Sequence, residues 1–540
     1  MATEFLFNNQ QVIEPGVYST IKSQIQNPGL SLSYGNVLII DTGSGASYGG
    51  AGINGELTNG ANAVYQFDDI KAFQQFQRGG VWWDAATALF RPNGNGTNGV
   101  SRIYYASART STASTLALNF TGASASTLTI KGKMEGVGSV GVLSGTNLST
   151  GFAATFVAGT IDPTKYVLKM WTGTYRGLHT DGTPLSGTDA ANSTPLLIAQ
   201  SGEVSTVAEL VTWAASNANF KQYFTVTAST GTGTFDAADA LAVVGYNLFA
   251  GGTDVYNATD VDAVLDVVKE LDYSIVLADQ IGATSAGTAN MKIYSHLVTE
   301  AKFDKMMIVG GGDESADFAG ESIATAVAYD SENVVVVHGG INTTSPNPAE
   351  GLREQTSLLH AAYVTGRTAG LAPQTPLTFK AMNFQGVRHI LKDSERIQAI
   401  QSGVLASKWD SEFSAFVIVA GVNSLQANTY LVNTDATTPE VSIFRIKAQL
   451  NKELIVNSKL DLLGNQTSGP NQATLRKEDV VEWMNGFLSR RTADDTTDNL
   501  IIRYTDIAVT VDQDAYQITY KFVPNFPVTK LLFTGFMIES

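Results

Sequence analysis

Residues 251–278 read GGTDVYNATDVDAVLDVVKELDYSIVLA, and this stretch decides the fold class. Gly251-Gly252-Thr253-Asp254 is a turn. Thr259 stands where a helix cap is expected, with Asp262 three residues on. Val261, Val264, Leu265 and Val268 follow at i, i+3, i+4 and i+7, one apolar stripe on one helical face. Tyr273 to Ala278 then reads as a buried strand. The unit repeats: Met306 to Val309 as strand, a glycine turn, Ser315 to Tyr329 as helix, Val334 to Val337 as strand. Such alternation predicts a parallel or mixed sheet with helices packed on it.

Upstream, Val37-Leu38-Ile39-Ile40 and Ser101 to Ala106 have the texture of strands buried on both faces, and Asp68 to Gln77 reads as a short helix between them. From about Thr110 to Thr234 the composition turns to Thr, Ser, Ala and Gly with alternation, as in Ser126 to Lys131 and Tyr166 to Trp171. One helix, Val204 to Asn217, lies near its end. The expectation is an inserted β domain. Downstream, Arg476 to Arg491 reads as a helix with Val480, Met484, Phe487 and Leu488 on one face. Tyr516 to Phe522 alternates strictly as a strand. Leu531 to Ile538 is apolar on both faces, so it must be central in its own sheet or added to another copy. Residues 1–27 are polar and Gln/Asn-rich, and they read as an extended arm or as a loose tail.

The fold class expected is α/β with mixed α+β character, in several domains. Residues 28–110 and 235–370 form a discontinuous central α/β domain, 111–234 the β-rich insert, and 371–514 an α+β domain. Residues 1–27 and 515–540 are terminal arms.

Charged residues make up 16% of the 540, and the formal charge is −16. Nucleic-acid binding and anionic membrane surfaces need basic clusters, which this acidic chain lacks. With no cysteine, disulfides and thiolate metal sites are excluded. The first residues lack a secretory pattern, and no apolar run approaches the roughly 18 residues of a membrane span. So few charges suit a protein largely covered by neighbours.

Three motifs suggest chemistry. Val37 to Ile40 followed by Asp41-Thr42-Gly43-Ser44 has the form of an aspartic protease site, which requires a second carboxylate a few ångströms away. The sequence has no second Asp-Thr-Gly, and a buried strand ending in a turn is the simpler reading. Gly45-Ala46-Ser47-Tyr48-Gly49 fits a nucleophile elbow but lacks the helix that should follow. Gly310-Gly311-Gly312-Asp313-Glu314-Ser315 sits where a phosphate loop would lie, yet it lacks the lysine, and its acids would repel phosphate. The histidines show no ligand spacing. No cofactor, metal or catalytic residue is expected.

Several stretches together, in order along the chain, resemble the contractile tail sheath family. They are Ile13-Glu14-Pro15-Gly16-Val17-Tyr18; Phe249 to Asp254 with the helix and strand after it; Ala361 to Gly370, where Thr365 and Arg367 stand in place of small or apolar residues; Leu377-Thr378-Phe379-Lys380; Ala399 to Gly403; Ala420 to Leu425; and Val523-Pro524 before the apolar terminal strand. Ile443 to Lys447 is a weak counterpart of the family's basic helix. The resemblance implies a structural subunit, not an enzyme, that forms six-membered rings around an inner tail tube and meets baseplate and terminator proteins. It implies inter-subunit pairing through Val12, Ile13, Pro15, Gly16, Val17 and Tyr18 at one end. At the other end it points to Ile518, Tyr520, Phe522, Leu532, Phe533, Phe536 and Ile538. Arg476, Lys477, Glu478, Arg490 and Arg491 are candidates to face the tube. A static self-assembling shell and an Asp41 protease are the alternatives.

Overall fold

A computed structural model describes residues 5–7, 10–12, 34–42, 64–77, 81–94, 99–121, 125–136, 139–144, 147–173, 195–237, 239, 245–256, 258–300, 304–312, 319–344, 352–426, 439–462, 477–492, 499–512 and 515–525. The chain divides into two units, Met1–Ser33 and Tyr34–Ser540. In the first, β1 (Phe5–Phe7) and β2 (Gln10–Val12) pair antiparallel, with Phe5 opposite Val12.

The second unit opens with β3 (Asn36–Asp41), β4 (Val64–Phe67), α1 (Ile70–Gln77), α2 (Val81–Phe90) and β5 (Arg102–Ser107). The chain then leaves the sheet for an all-antiparallel region. Its strands are β6 (Arg109–Phe120), β7 (Ser126–Glu135), β8 (Val142–Ser144), β9 (Asn147–Thr150), β10 (Phe152–Ala158), β11 (Tyr166–Thr172) and β12 (Leu196–Gln200). Helices α3 (Val207–Ser216) and α4 (Ala218–Tyr223) and strands β13 (Phe224–Thr230), β14 (Asn247–Leu248) and β15 (Thr253–Tyr256) complete it. Two four-stranded sheets result, in the orders β13-β7-β6-β15 and β12-β11-β10-β14. Alternation explains the core they share. Leu116, Leu118 and Phe120 of β6 point inward beside Phe152, Phe156 and Leu168 of the other sheet. The sheets thus run on to Tyr256, well past residue 234.

The chain continues through α5 (Ala258–Val268), β16 (Ile275–Ala278), α6 (Ala289–Thr299), β17 (Met306–Gly310) and a π turn (Ala319–Ile323) leading into α7 (Ala324–Tyr329). Then come β18 (Val334–Val337), β19 (Ile341–Thr344), β20 (Leu352–Gln355) and α8 (Ser357–Ala369). Next are β21 (Ala381–Met382), β22 (Gly386–Val387), α9 (Asp393–Gln401), β23 (Val404–Leu405), β24 (Ser407–Asp410) and β25 (Ala415–Ile418). The last elements are α10 (Val441–Asp461), α11 (Lys477–Ser489), β26 (Ile501–Asp512) and β27 (Ala515–Pro524).

Seven of these strands form the central sheet, in the order β23-β18-β17-β16-β3-β5-β4, parallel except at β4. Both faces are covered. Val37, Ile39, Leu277 and Ile308 pack with Trp82, Leu89, Leu358 and Ala362 of α2 and α8. Leu38, Ile40, Val276 and Met307 pack with Val261, Val264, Ile293 and Ala326 of α5, α6 and α7. Burial on both faces is why these strands are unbroken apolar runs.

Two local expectations shift. Helix α5 begins at Ala258, so Thr259 lies in its first turn and not at its cap, and the strand expected from Tyr273 begins at Ile275. Helix α2 was not anticipated. The terminal run Leu531 to Ile538 lies outside the described residues.

Candidate functional site

The assembly candidates fall partly among the described residues. Ile518, Tyr520 and Phe522 lie half-buried on β27, against a cluster built from Ile446, Leu450, Met484 and Phe487 of α10 and α11. The residues between them, Gln517, Thr519 and Lys521, are exposed, as strict alternation requires. Strand β27 pairs with β26 from Ala515 opposite Asp512 to Pro524 opposite Ile501, with two bulges. This ribbon is a two-stranded sheet, and among the described residues neither outer edge meets another strand. Such edges are templates for a strand from elsewhere. Val12 ends β2. Ile13, Pro15, Gly16, Val17, Tyr18, Leu532, Phe533, Phe536 and Ile538 lie outside the described residues.

Of the tube-facing candidates, Lys477 and Glu478 are exposed in the first turn of α11, and Arg490 is exposed just beyond its end. Arg491 is engaged within the chain. Its guanidinium sits 2.6 Å from Glu453 of α10 and 5.8 Å from the centre of the Phe487 ring. Arg476 lies outside the described residues.

The motif at Asp41 shows what the sequence could not. Strand β3 ends at Asp41, and Asp279 follows the end of its parallel neighbour β16. These are the carboxyl ends of the two strands between which the chain switches direction across the sheet, the place where open α/β folds bind ligands. Asp41 Oδ2 accepts hydrogen bonds from Arg109 Nε (2.9 Å) and from the Tyr105 hydroxyl. Thr42 donates its backbone N–H to Asp279 Oδ2 (2.7 Å) and its hydroxyl to the same carboxylate (2.8 Å). A second carboxylate therefore does lie by Asp41, that of Asp279, 237 residues on from Thr42 and in no recognisable motif. Burial, and then the charge of Asp41, push Asp279 up to about 7, against the opposing pull of Thr42 and Arg109. Burial likewise pushes the Tyr105 phenol well above its ordinary range.

Asp41 is 1% exposed, and Asp279 and Arg109 are 0% exposed. Walled off in this way, the cluster holds an ion pair and a second carboxyl whose ionisation burial disfavours, at the point where the chain leaves the central sheet for the antiparallel region.

The glycine turn after β17 is packing and not a cradle. A side chain at Gly310 would strike Ser357, and one at Gly311 would strike Val336 and Ser322. Asp313 and Glu314 lie outside the described residues. His338 and His360 are buried, each on a serine hydroxyl: His338 Nδ1 is 2.9 Å from Ser322 Oγ, and His360 Nε2 is 2.8 Å from Ser407 Oγ. Burial brings their pKa values down to about 3 and about 4. Both are neutral core groups, and among the described residues no cluster of acids and histidines could hold a metal.

No family model matches the chain. A 272-residue segment is 26% identical to the tail sheath protein of Bacillus phage SP01, covering 50% of this chain and 44% of that relative. The chain thus spans less than half of that curated relative. Among solved structures, the sheath tail protein of Desulfitobacterium hafniense superposes with a TM-score of 0.50 at 15% identity, over 94% of this chain and all of the other. The fold is that of the tail sheath proteins. The sheath tail protein of Listeria innocua covers 91% of this chain at 12% identity, with a TM-score of 0.42. In this sheath fold Asp41 lies inside the central sheet domain, and the β26–β27 ribbon has no further strand on either edge among the described residues.

Proposed function

We propose that the chain is the structural subunit of a contractile tail sheath and does no catalysis. In this reading copies stack as six-membered rings around a rigid inner tube, assembled in a bacterial cytoplasm into the tail of a virion or a related injection device. Baseplate and terminator proteins close the two ends. The N-terminal residues and the C-terminal strand of one copy add to the open edges of the β26–β27 ribbon in others, so backbone hydrogen bonds hold the lattice while subunits rotate and repack. Energy stored at assembly drives shortening, and no nucleotide is needed. The β-rich region faces outward, and the exposed start of α11 faces the tube.

The observation that carries the proposal is the sheath fold matched over 94% of this chain and the whole of the solved structure. The ribbon edges support the linkage, because among the described residues neither is paired with a further strand, and an unpaired edge can accept one. Removing residues 529–540 tests the linkage. The truncated protein is expected to stay folded and soluble and to form no polymer in sedimentation or electron microscopy. Tubes formed by the truncated protein would remove the terminal strand from the mechanism.

A further inference from the structure

Helix α8 runs beneath the central sheet, and all of its 13 residues are buried except Arg367, in its last turn. That side chain is half sunk. Its Nε and Nη1 are shut off from solvent and have no acceptor among the described residues. Burial lowers its pKa, and among the described residues no carboxylate offsets that loss. Other interior arginines also keep a donor without a hydrogen bond, Arg388 among them, but each has an acid or a carbonyl to answer its charge, Glu354 at 3.6 Å in the case of Arg388. Arg109 has Asp41, Arg491 has Glu453, and Arg445 donates to the carbonyls of Leu371 (2.6 Å) and Ala372 (3.3 Å) just past the end of α8. A half-buried guanidinium with idle donors is costly in an isolated chain, and folds seldom keep one without a partner.

We propose that Arg367 is an inter-subunit contact whose guanidinium receives a carboxylate from a second copy of this chain. The inference rests on the self-assembly reading. The chain carries 50 acidic residues against 34 basic ones, so a neighbouring copy presents carboxylates far more often than cations. The flexible arginine stem can swing its donors toward an acid arriving at the exposed part of the side chain. A charge-assisted pair formed this way is shielded from solvent on the side already buried, where it is strongest. The cost borne by the lone subunit is relieved only on assembly, which biases the chain toward polymer.

The test pairs R367L with R367K. Leu removes the idle donors and the charge while keeping apolar bulk. The unassembled R367L subunit is expected to melt at the wild-type temperature or above, while the concentration needed for polymer rises at least ten-fold. For R367K, carbodiimide cross-linking of a polymer grown from mixed ¹⁴N and ¹⁵N chains should join position 367 to an acidic residue in peptides of mixed label. R367L polymerising at wild-type concentration would overturn the proposal. So would a lower melting temperature for the lone R367L subunit, or cross-links confined to single-label peptides. If the wild-type chain forms no polymer at all, the self-assembly reading fails and the second-copy partner fails with it. If wild type polymerises and R367L does so as readily, only the Arg367 contact falls.

Discussion

Asp41 and Asp279 illustrate the residue scale. Asp41, its Arg109 partner and Asp279 lie out of solvent, and an ion pair in that setting is far more costly to break than to have replaced whole. Asp41→Asn should therefore destabilise the subunit by about 3–5 kcal/mol, read as a lower denaturation midpoint, because Arg109 loses its charged acceptor. Asp279 makes the opposite point. Its native pKa lies near 7 against an ordinary 3.8, so the folded state binds a proton that the unfolded state has released across that window. Stability from this group is full below the lower value and is lost as pH rises through the upper one. Asp279→Asn lacks that slope, so wild type should lose stability relative to the variant between the two values, from about pH 4 to about pH 7. Parallel pH profiles for the two proteins would contradict a retained proton. None of this was legible from Asp41-Thr42-Gly43-Ser44. The motif gave the end of a buried strand, but the partner arrives through tertiary contact between β3 and β16.

The elements that were legible are those with one dominant signal. Strands β3, β16, β17 and β18 read directly, because burial on both faces leaves unbroken apolar runs, and α5 read from its stripe. Helix α2 did not, since Val81 to Phe90 is apolar on most sides and shows no clean period. The small residues at Ala361 to Gly370 read only as a family-like segment. In the fold they form α8 and press against α2. A Cβ on Gly366 would come within 2.3 Å of the Ala88 carbonyl oxygen and 2.6 Å of that of Leu89. These are backbone atoms and cannot swing aside. Gly366→Ala should thus cost about 1–3 kcal/mol by forcing the helices apart, despite the better helix propensity of alanine. A melting temperature equal to or above wild type would show that the crossing has slack.

At the scale of the whole molecule, the fold class came from the alternation of strand and helix signals. Which strands join which sheet did not. Strand β23 inserts at one edge of the central sheet, and β14 and β15 return to the antiparallel sheets, through hydrogen bonds between distant segments that no local pattern encodes. The remaining claim, that copies of this fold polymerise into a tube, concerns surfaces that a single chain leaves open. Electron microscopy of the purified full-length protein, concentrated without any partner, tests it most directly. The account predicts hollow tubes of one diameter with a helical or stacked-ring repeat. Isolated particles at every concentration, or flat sheets, would contradict it.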